Sequence, residues 1–119
     1  MTPASFSSQT SQPLPSLIGG DFPRVTRLVT IAGGSGVLAA GAVLGRIAAS
    51  KRYALSVAMA SDGSEAPRAI LAEPVDATAA DVEAIVYVAG EFNPDQLTFG
   101  AGHSAASAAD ALRDLSIFL

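Results

Sequence analysis

Apolar residues along this chain come in short runs closed by turn residues, and over most of the length their spacing is that of strands. Residues 25–31 read VTRLVTI, a β-branched segment that predicts a strand. At 53–57, Tyr53, Leu55 and Val57 alternate with Ala54 and Ser56, which predicts a half-buried strand. Two further apolar runs, 69–72 and 84–89, flank an acidic connection rich in Ala and Thr. Asp62-Gly63-Ser64 opens this stretch, Glu73-Pro74 breaks it and Gly90-Glu91 ends it. Asp62 suits a bond to local backbone there, and Gly63 a positive φ. Ile85 and Tyr87 point to one face of the second run and Val86 and Val88 to the other, so this strand is expected to be buried on both sides.

Beyond it, Asn93-Pro94-Asp95 predicts a turn, residues 97–99 a short extended piece, and Gly100-Ala101-Gly102 a break. Residues 79–82 have room for one helical turn, too short to stand alone. The helical period appears only after Ser104: Ala105, Ala108, Leu112 and Leu115 make one apolar stripe. Ser104 or Ser107 suits the cap, and Ser107-x-x-Asp110 has the spacing of a capping box. Residues 116–119 read as a last strand that ties the C-terminus into the sheet. The pattern predicts a mainly β domain of short strands with one C-terminal helix, over residues 23–119.

Residues 32–48, AGGSGVLAAGAVLGRIA, admit three readings. Gly34-Ser35-Gly36-Val37-Leu38-Ala39 fits G-x-G-x-x-A after a strand, the phosphate-binding turn of a small dinucleotide- or ligand-binding domain, with Asp62 as the ribose ligand. Residues 28–45 carry no charge and include Gly41-x-x-x-Gly45, which suits a membrane span. The third reading is a glycine turn at 33–36 followed by a strand around 42–47. Gly41 and Gly45 favour the third, because each costs about 1 kcal/mol against Ala inside a helix. The dinucleotide turn stays as the alternative.

Residues 1–20 contain no charged side chain and are dominated by Ser, Thr, Gln and Pro. Pro13 and Pro15 exclude a helix there, and the pattern is not that of a secretory signal. Ordering backbone costs about 1–2 kcal/mol per residue, while each buried apolar anchor returns about 1.5–3 kcal/mol. Residues 1–22 are therefore expected to be a flexible arm in isolation. An arm with apolar beads and no charge in its first twenty residues can gain order along another protein, and Leu14, Leu17, Ile18 and Phe22 are its candidate contacts.

The net charge of −4 is unevenly distributed: residues 1–60 carry five basic groups and one acid, residues 61–119 two basic groups and ten acids. An acidic half and few, scattered basic residues give no nucleic-acid footprint. The asymmetry suits head-to-tail contacts between subunits or docking on a charged partner, but the preferred reading is a solvated acidic surface that keeps the protein soluble. The absence of Cys excludes disulfides and thiolate metal sites.

Candidate chemistry is sparse. Gly102-His103-Ser104-Ala105-Ala106 approaches the nucleophile elbow but lacks its final Gly, and His103, the only histidine, would be the neighbour of the nucleophile. His103 reads instead as a structural residue near a helix start. Asp76, Asp81 and Glu83 do not form the calcium-loop pattern, and Glu73 and Glu91 are placed at strand ends or in contacts between subunits. No catalytic, cofactor or metal residues are expected.

ILAEPVDA (70–77) and VYVAGEF (86–92), together with GDFPRVT (20–26), VTIA (29–32), GAVLG (41–45), ALR (111–113) and IFL (117–119), occur in the order found in the head decoration protein family of tailed bacteriophages, which the chain resembles from about Gly20 to the C-terminus. The resemblance implies a β-clip-like fold and a non-enzymatic cementing protein of the virion. Such a protein is made in the bacterial cytoplasm, forms a homotrimer on the outer surface of the mature head and has the major capsid protein as its partner, with no cofactor, nucleic acid or membrane. It also implies a capsid-binding role for the N-terminal arm, although the arm itself does not align residue by residue with the lambda family.

Overall fold

The computed structural model describes residues 24–119. The strands are β1 (Val25–Ile31), β2 (Gly36–Leu38), β3 (Val43–Arg46), β4 (Tyr53–Leu55), β5 (Pro67–Leu71), β6 (Val75–Ala77), β7 (Val82–Glu91) and β8 (Ile117–Phe118), with one helix, α1 (Ala105–Arg113), before the last. The expectation of a mainly β domain with a single C-terminal helix is met.

Five strands pair in the order β1-β4-β3-β5-β7, and β7 returns to β1, so the sheet closes on itself. Closure leaves these strands without a long free edge, the usual hazard of a small β protein. The long strand β7 makes this possible. It pairs antiparallel with all of β1, from Val25↔Ala89 to Ile31↔Val82, and on its other side with β5 through Ile70↔Tyr87 and Leu71↔Val86. The ring is completed by a short parallel contact, Ile31↔Tyr53, where the Ala32 N–H donates to the Tyr53 carbonyl at 2.8 Å. β8 adds to the end of β7 in parallel through Gly90↔Ile117, which ties the C-terminus into the sheet as expected. β2 and β6 form a separate two-stranded ribbon.

Alternation along β3 and β5 builds two cores from the same strands. Ala42, Leu44, Ala69 and Leu71 point into the ring with Ile31, Leu38, Ala77, Ala84 and Val86. Val43 and Ile70, which are register partners, point outwards and are covered by Ala108 and Leu112 of α1, together with Phe92 and Ile117. Tyr87 packs on Phe92 with ring centroids 5.2 Å apart. Each fully buried Leu, Ile or Phe contributes about 1.5–3 kcal/mol, so α1 fixes the outer core as strongly as its few turns permit.

Several expectations change. Residues 79–82 form no helical turn: a bend leads directly into β7 at Val82. The strand expected at 84–89 is longer, and it is not buried on both sides. Ala84 and Val86 are fully enclosed, but Ile85 is 41 % exposed, because α1 covers only the Tyr87 end of the outer face. The capping box is Ser104 with Ser107, not Ser107 with Asp110: Ser107 Oγ accepts from the Ser104 N–H at 2.8 Å, and Ser104 Oγ from the Ser107 N–H at 3.3 Å. Asp110 instead meets Arg113 at 3.3 Å. Leu115 lies past the helix end and is exposed, so the buried stripe ends at Leu112. Gly45 lies inside β3, where a side chain would overlap the Ser64 carbonyl oxygen.

Candidate functional site

The turn after β1 was the one candidate for nucleotide chemistry, and its local bonding decides the matter. The Gly33 N–H donates to Asp81 Oδ1 at 2.7 Å, and the Gly34 N–H to the Ala77 carbonyl at 2.7 Å. Residues 36–38 then run as β2 against β6, with Gly36↔Ala77, Val37↔Asp76 and Leu38↔Val75. The N–H groups that a pyrophosphate would need at Gly33 and Gly34 are already engaged, one of them by a carboxylate, and a strand stands where the phosphate-binding helix would begin. The dinucleotide reading of residues 34–39 is thereby overturned. So is the membrane span, since β1, β2 and β3 occupy residues 28–45 and no helix among the described residues is long and apolar enough to cross a bilayer. Asp81 also pairs with Arg52 at 2.9 Å, so one carboxylate latches the turn after β1 to the approach to β4.

The elbow-like sequence at 102–106 is likewise structural. Ser104 is the N-cap of α1. His103 Nε2 lies 2.8 Å from the Glu65 carbonyl oxygen, which can only accept, so Nε2 carries the proton and Nδ1 faces the Ser107 hydroxyl at 3.4 Å. The imidazole thus joins the start of α1 to the turn at 62–65, the structural bond expected of it. In that turn the Ser64 hydroxyl donates to Asp62 at 2.6 Å and the Ser64 N–H at 3.0 Å, which lowers the Asp62 pKa. Gly63 has the positive φ expected of it, +106°.

The remaining carboxylates do not gather. Asp76 is held by the Thr78 hydroxyl at 2.6 Å and the Thr78 N–H, which lower its pKa. Asp81 serves the turn, Glu83 is exposed on β7, and among the described residues no cluster has three metal-ligating side chains. Glu73 stands at a strand end, accepting from the Ile85 N–H at 3.2 Å.

What the fold builds instead are two surfaces. On the outer face of the β1–β7 pair, Leu28 and Ile85 are register partners, 63 % and 41 % exposed. Glu83, two residues before Ile85, shares that face, and Glu73 borders it. At the end of the ring where β1 begins, a cleft of about 390 Å³ is lined by Arg27, Tyr53, Arg68, Val88 and Leu115. Arg27 and Arg68 form no ion pair among the described residues, whose ion pairs are Arg52–Asp81 and Arg113–Asp110. Sequence reading missed the cleft, since it depends on β5 reaching β1 through the ring. One local signal existed: Arg27 shares the inward register of Val29 and Ile31, an odd place for a charge. The arm candidates Leu14, Leu17, Ile18 and Phe22 lie outside the described residues.

A fold committed to packing, caps and outward-facing surfaces accords with the comparison to known families. The family of bacteriophage lambda head decoration protein D matches residues 10–118. The chain belongs to this family. The match takes in every strand and α1, and it starts ten residues earlier than the resemblance at Gly20. No individual curated protein matches the chain. The head decoration family is one of structural capsid proteins, which places this chain with the phage head and makes the bonding of Ser104, His103 and Gly33 intelligible as scaffold.

Proposed function

We propose that the protein cements the mature head of its phage from the outside. Three subunits close a ring at a local three-fold position, and each N-terminal arm, residues 1–22, orders on neighbouring major capsid protein subunits. The observation that carries this reading is the extent of the family match, which runs from residue 10, inside the arm, to the last strand. An arm of this composition gains order only on a partner, and a single arm must lose conformational entropy to bind. Three arms on one ring raise each other's effective concentration, so the assembly holds where one chain would not.

Co-sedimentation of the purified full-length protein with expanded capsids of its own phage tests the proposal, alongside a version lacking residues 1–20. Saturable binding that the truncation abolishes or greatly weakens supports cementing by the arm. Binding untouched by truncation keeps the decoration role and removes the arm from it. Failure of both proteins to bind would overturn the capsid reading.

A further inference from the structure

The two surfaces described above are complementary in charge, and each carries apolar side chains. The cleft is a basic recess: two guanidiniums without ion-pair partners among the described residues, walled by Val88, Leu115 and the Tyr53 ring. The β1–β7 outer face is an apolar ridge, Leu28 beside Ile85, bordered by two carboxylates, Glu83 on the same strand and Glu73 at the Ile85 N–H. We propose that the Leu28–Ile85 ridge of one copy seats in the Arg27–Arg68 cleft of the next, with Glu83 and Glu73 meeting the guanidiniums.

Three points on the molecule favour a second copy as the occupant. Planar guanidiniums pair best with carboxylates, often in bidentate geometry, and an apolar surround strengthens the pairing by excluding water. The arm, residues 1–22, carries one acid, Asp21, and so offers a single anion to a cleft with two guanidiniums. The ridge supplies anions and apolar surface together, at the spacing of one strand pair. The ridge lies on the outer face of the β1–β7 pair and the cleft at the end of the ring, so one subunit uses both at once and the contact is head-to-tail. Such a contact closes into a ring when the rotation between copies permits. The inference rests on the decoration reading for its setting, in which the ring has three members, and it names the surfaces that make the ring.

The chain has no cysteine, which makes the test clean. Full-length protein carrying Leu28→Cys and Leu115→Cys is treated with a short bismaleimide, both on expanded capsids and free at high concentration, beside each single variant. Covalent dimers and trimers from the double variant, with little from either single, are expected. Adding Arg27→Glu and Arg68→Glu should cut the cross-linked yield about tenfold or more through like-charge repulsion, and adding Glu73→Lys and Glu83→Lys to that chain should restore it. Capsid-bound protein that gives no such products, that cross-links equally well as Leu28→Cys alone, or that cross-links only to the capsid protein overturns the inference while leaving the decoration role standing. Cross-linking in free protein that never binds capsids supports the interface and overturns the cementing role. Absence of both binding and cross-linking overturns both.

Discussion

At Gly45 the backbone of β3 runs so close to the turn at 62–65 that a methyl group would overlap the Ser64 carbonyl oxygen. The obstacle is backbone, which cannot rotate away as a side chain tip can. Gly45→Ala is therefore expected to destabilise the protein by about 3 kcal/mol or more, at the upper end for overpacking. Gly34 is a different case. Its φ is +88° but nothing lies within reach of an added methyl group, so Gly34→Ala should show only the left-handed backbone penalty, about 1–2 kcal/mol. Urea unfolding midpoints of the two variants at neutral pH check the contrast, and equal losses would contradict it. Ser64 also acts on Asp62. Its hydroxyl and then its N–H stabilise the charged carboxylate, so the folded pKa lies below the unfolded value. With that sign, Asp62 contributes stability above the ordinary carboxylate range and loses it as pH falls through the lowered folded pKa. Asp76 follows the same course through the hydroxyl and N–H of Thr78. Asp62→Asn keeps an acceptor but removes the titration. Its urea midpoint should fall less steeply than that of the unaltered protein between neutral pH and pH ~3, and parallel curves would show that Asp62 takes no part in acid unfolding.

Among the elements, α1 carries the outer core and depends on its first turn. Ser104→Ala removes the hydroxyl that accepts the Ser107 N–H and should cost about 1 kcal/mol, within the range for lost N-caps. Leu112→Ala empties a fully buried position under the helix and should cost about 2–5 kcal/mol. Thermal unfolding of both variants, followed by circular dichroism, orders them, and a Ser104→Ala loss as large as that of Leu112→Ala would mean that the cap holds more than the helix. These elements were legible because their signals are local. The β-branched run of β1 matched its strand end for end, the small-residue stripe found α1, and a serine before it gave the cap. The choice between Ser107–Asp110 and Ser104–Ser107 was not legible, since serine at the third helical position closes the box through its own hydroxyl. β2 and β6 escaped notice for another reason. Each is three residues long, their partners are nearly forty residues apart, and Gly36-Val37-Leu38 shows no alternation that distinguishes it from the turn before it. The half-exposed face of β7 was misread because apolar residues at Ile85 and Leu28 look identical in sequence whether a core or only solvent lies beyond them. The candidate cleft needs β5 and β1 brought together by ring closure, which no spacing in the chain encodes.

For the whole molecule, the folded cores and the proposed capsid contacts of the arm fall on different parts of the chain. Both apolar clusters of the described domain lie between Ile31 and Ile117, with partly buried neighbours from Val29 to Leu119. Removing residues 1–20 therefore takes away none of the side chains in those clusters, and thermal unfolding of the truncated chain should match that of the full-length protein within a degree or two. Capsid binding should respond in the opposite way. If three arms on one ring act together, deleting them removes the multivalent gain, and apparent affinity for expanded capsids should fall about a hundredfold or more. The comparison has force because each half controls the other: a truncated chain that melts normally cannot owe its lost binding to misfolding. A truncated chain that melts early would instead show that the arm packs on the domain, and its binding loss would then reflect stability rather than capsid contacts. Retained binding with unchanged melting would leave the described domain as the capsid-binding part, with the candidate cleft and ridge as the surfaces to alter next.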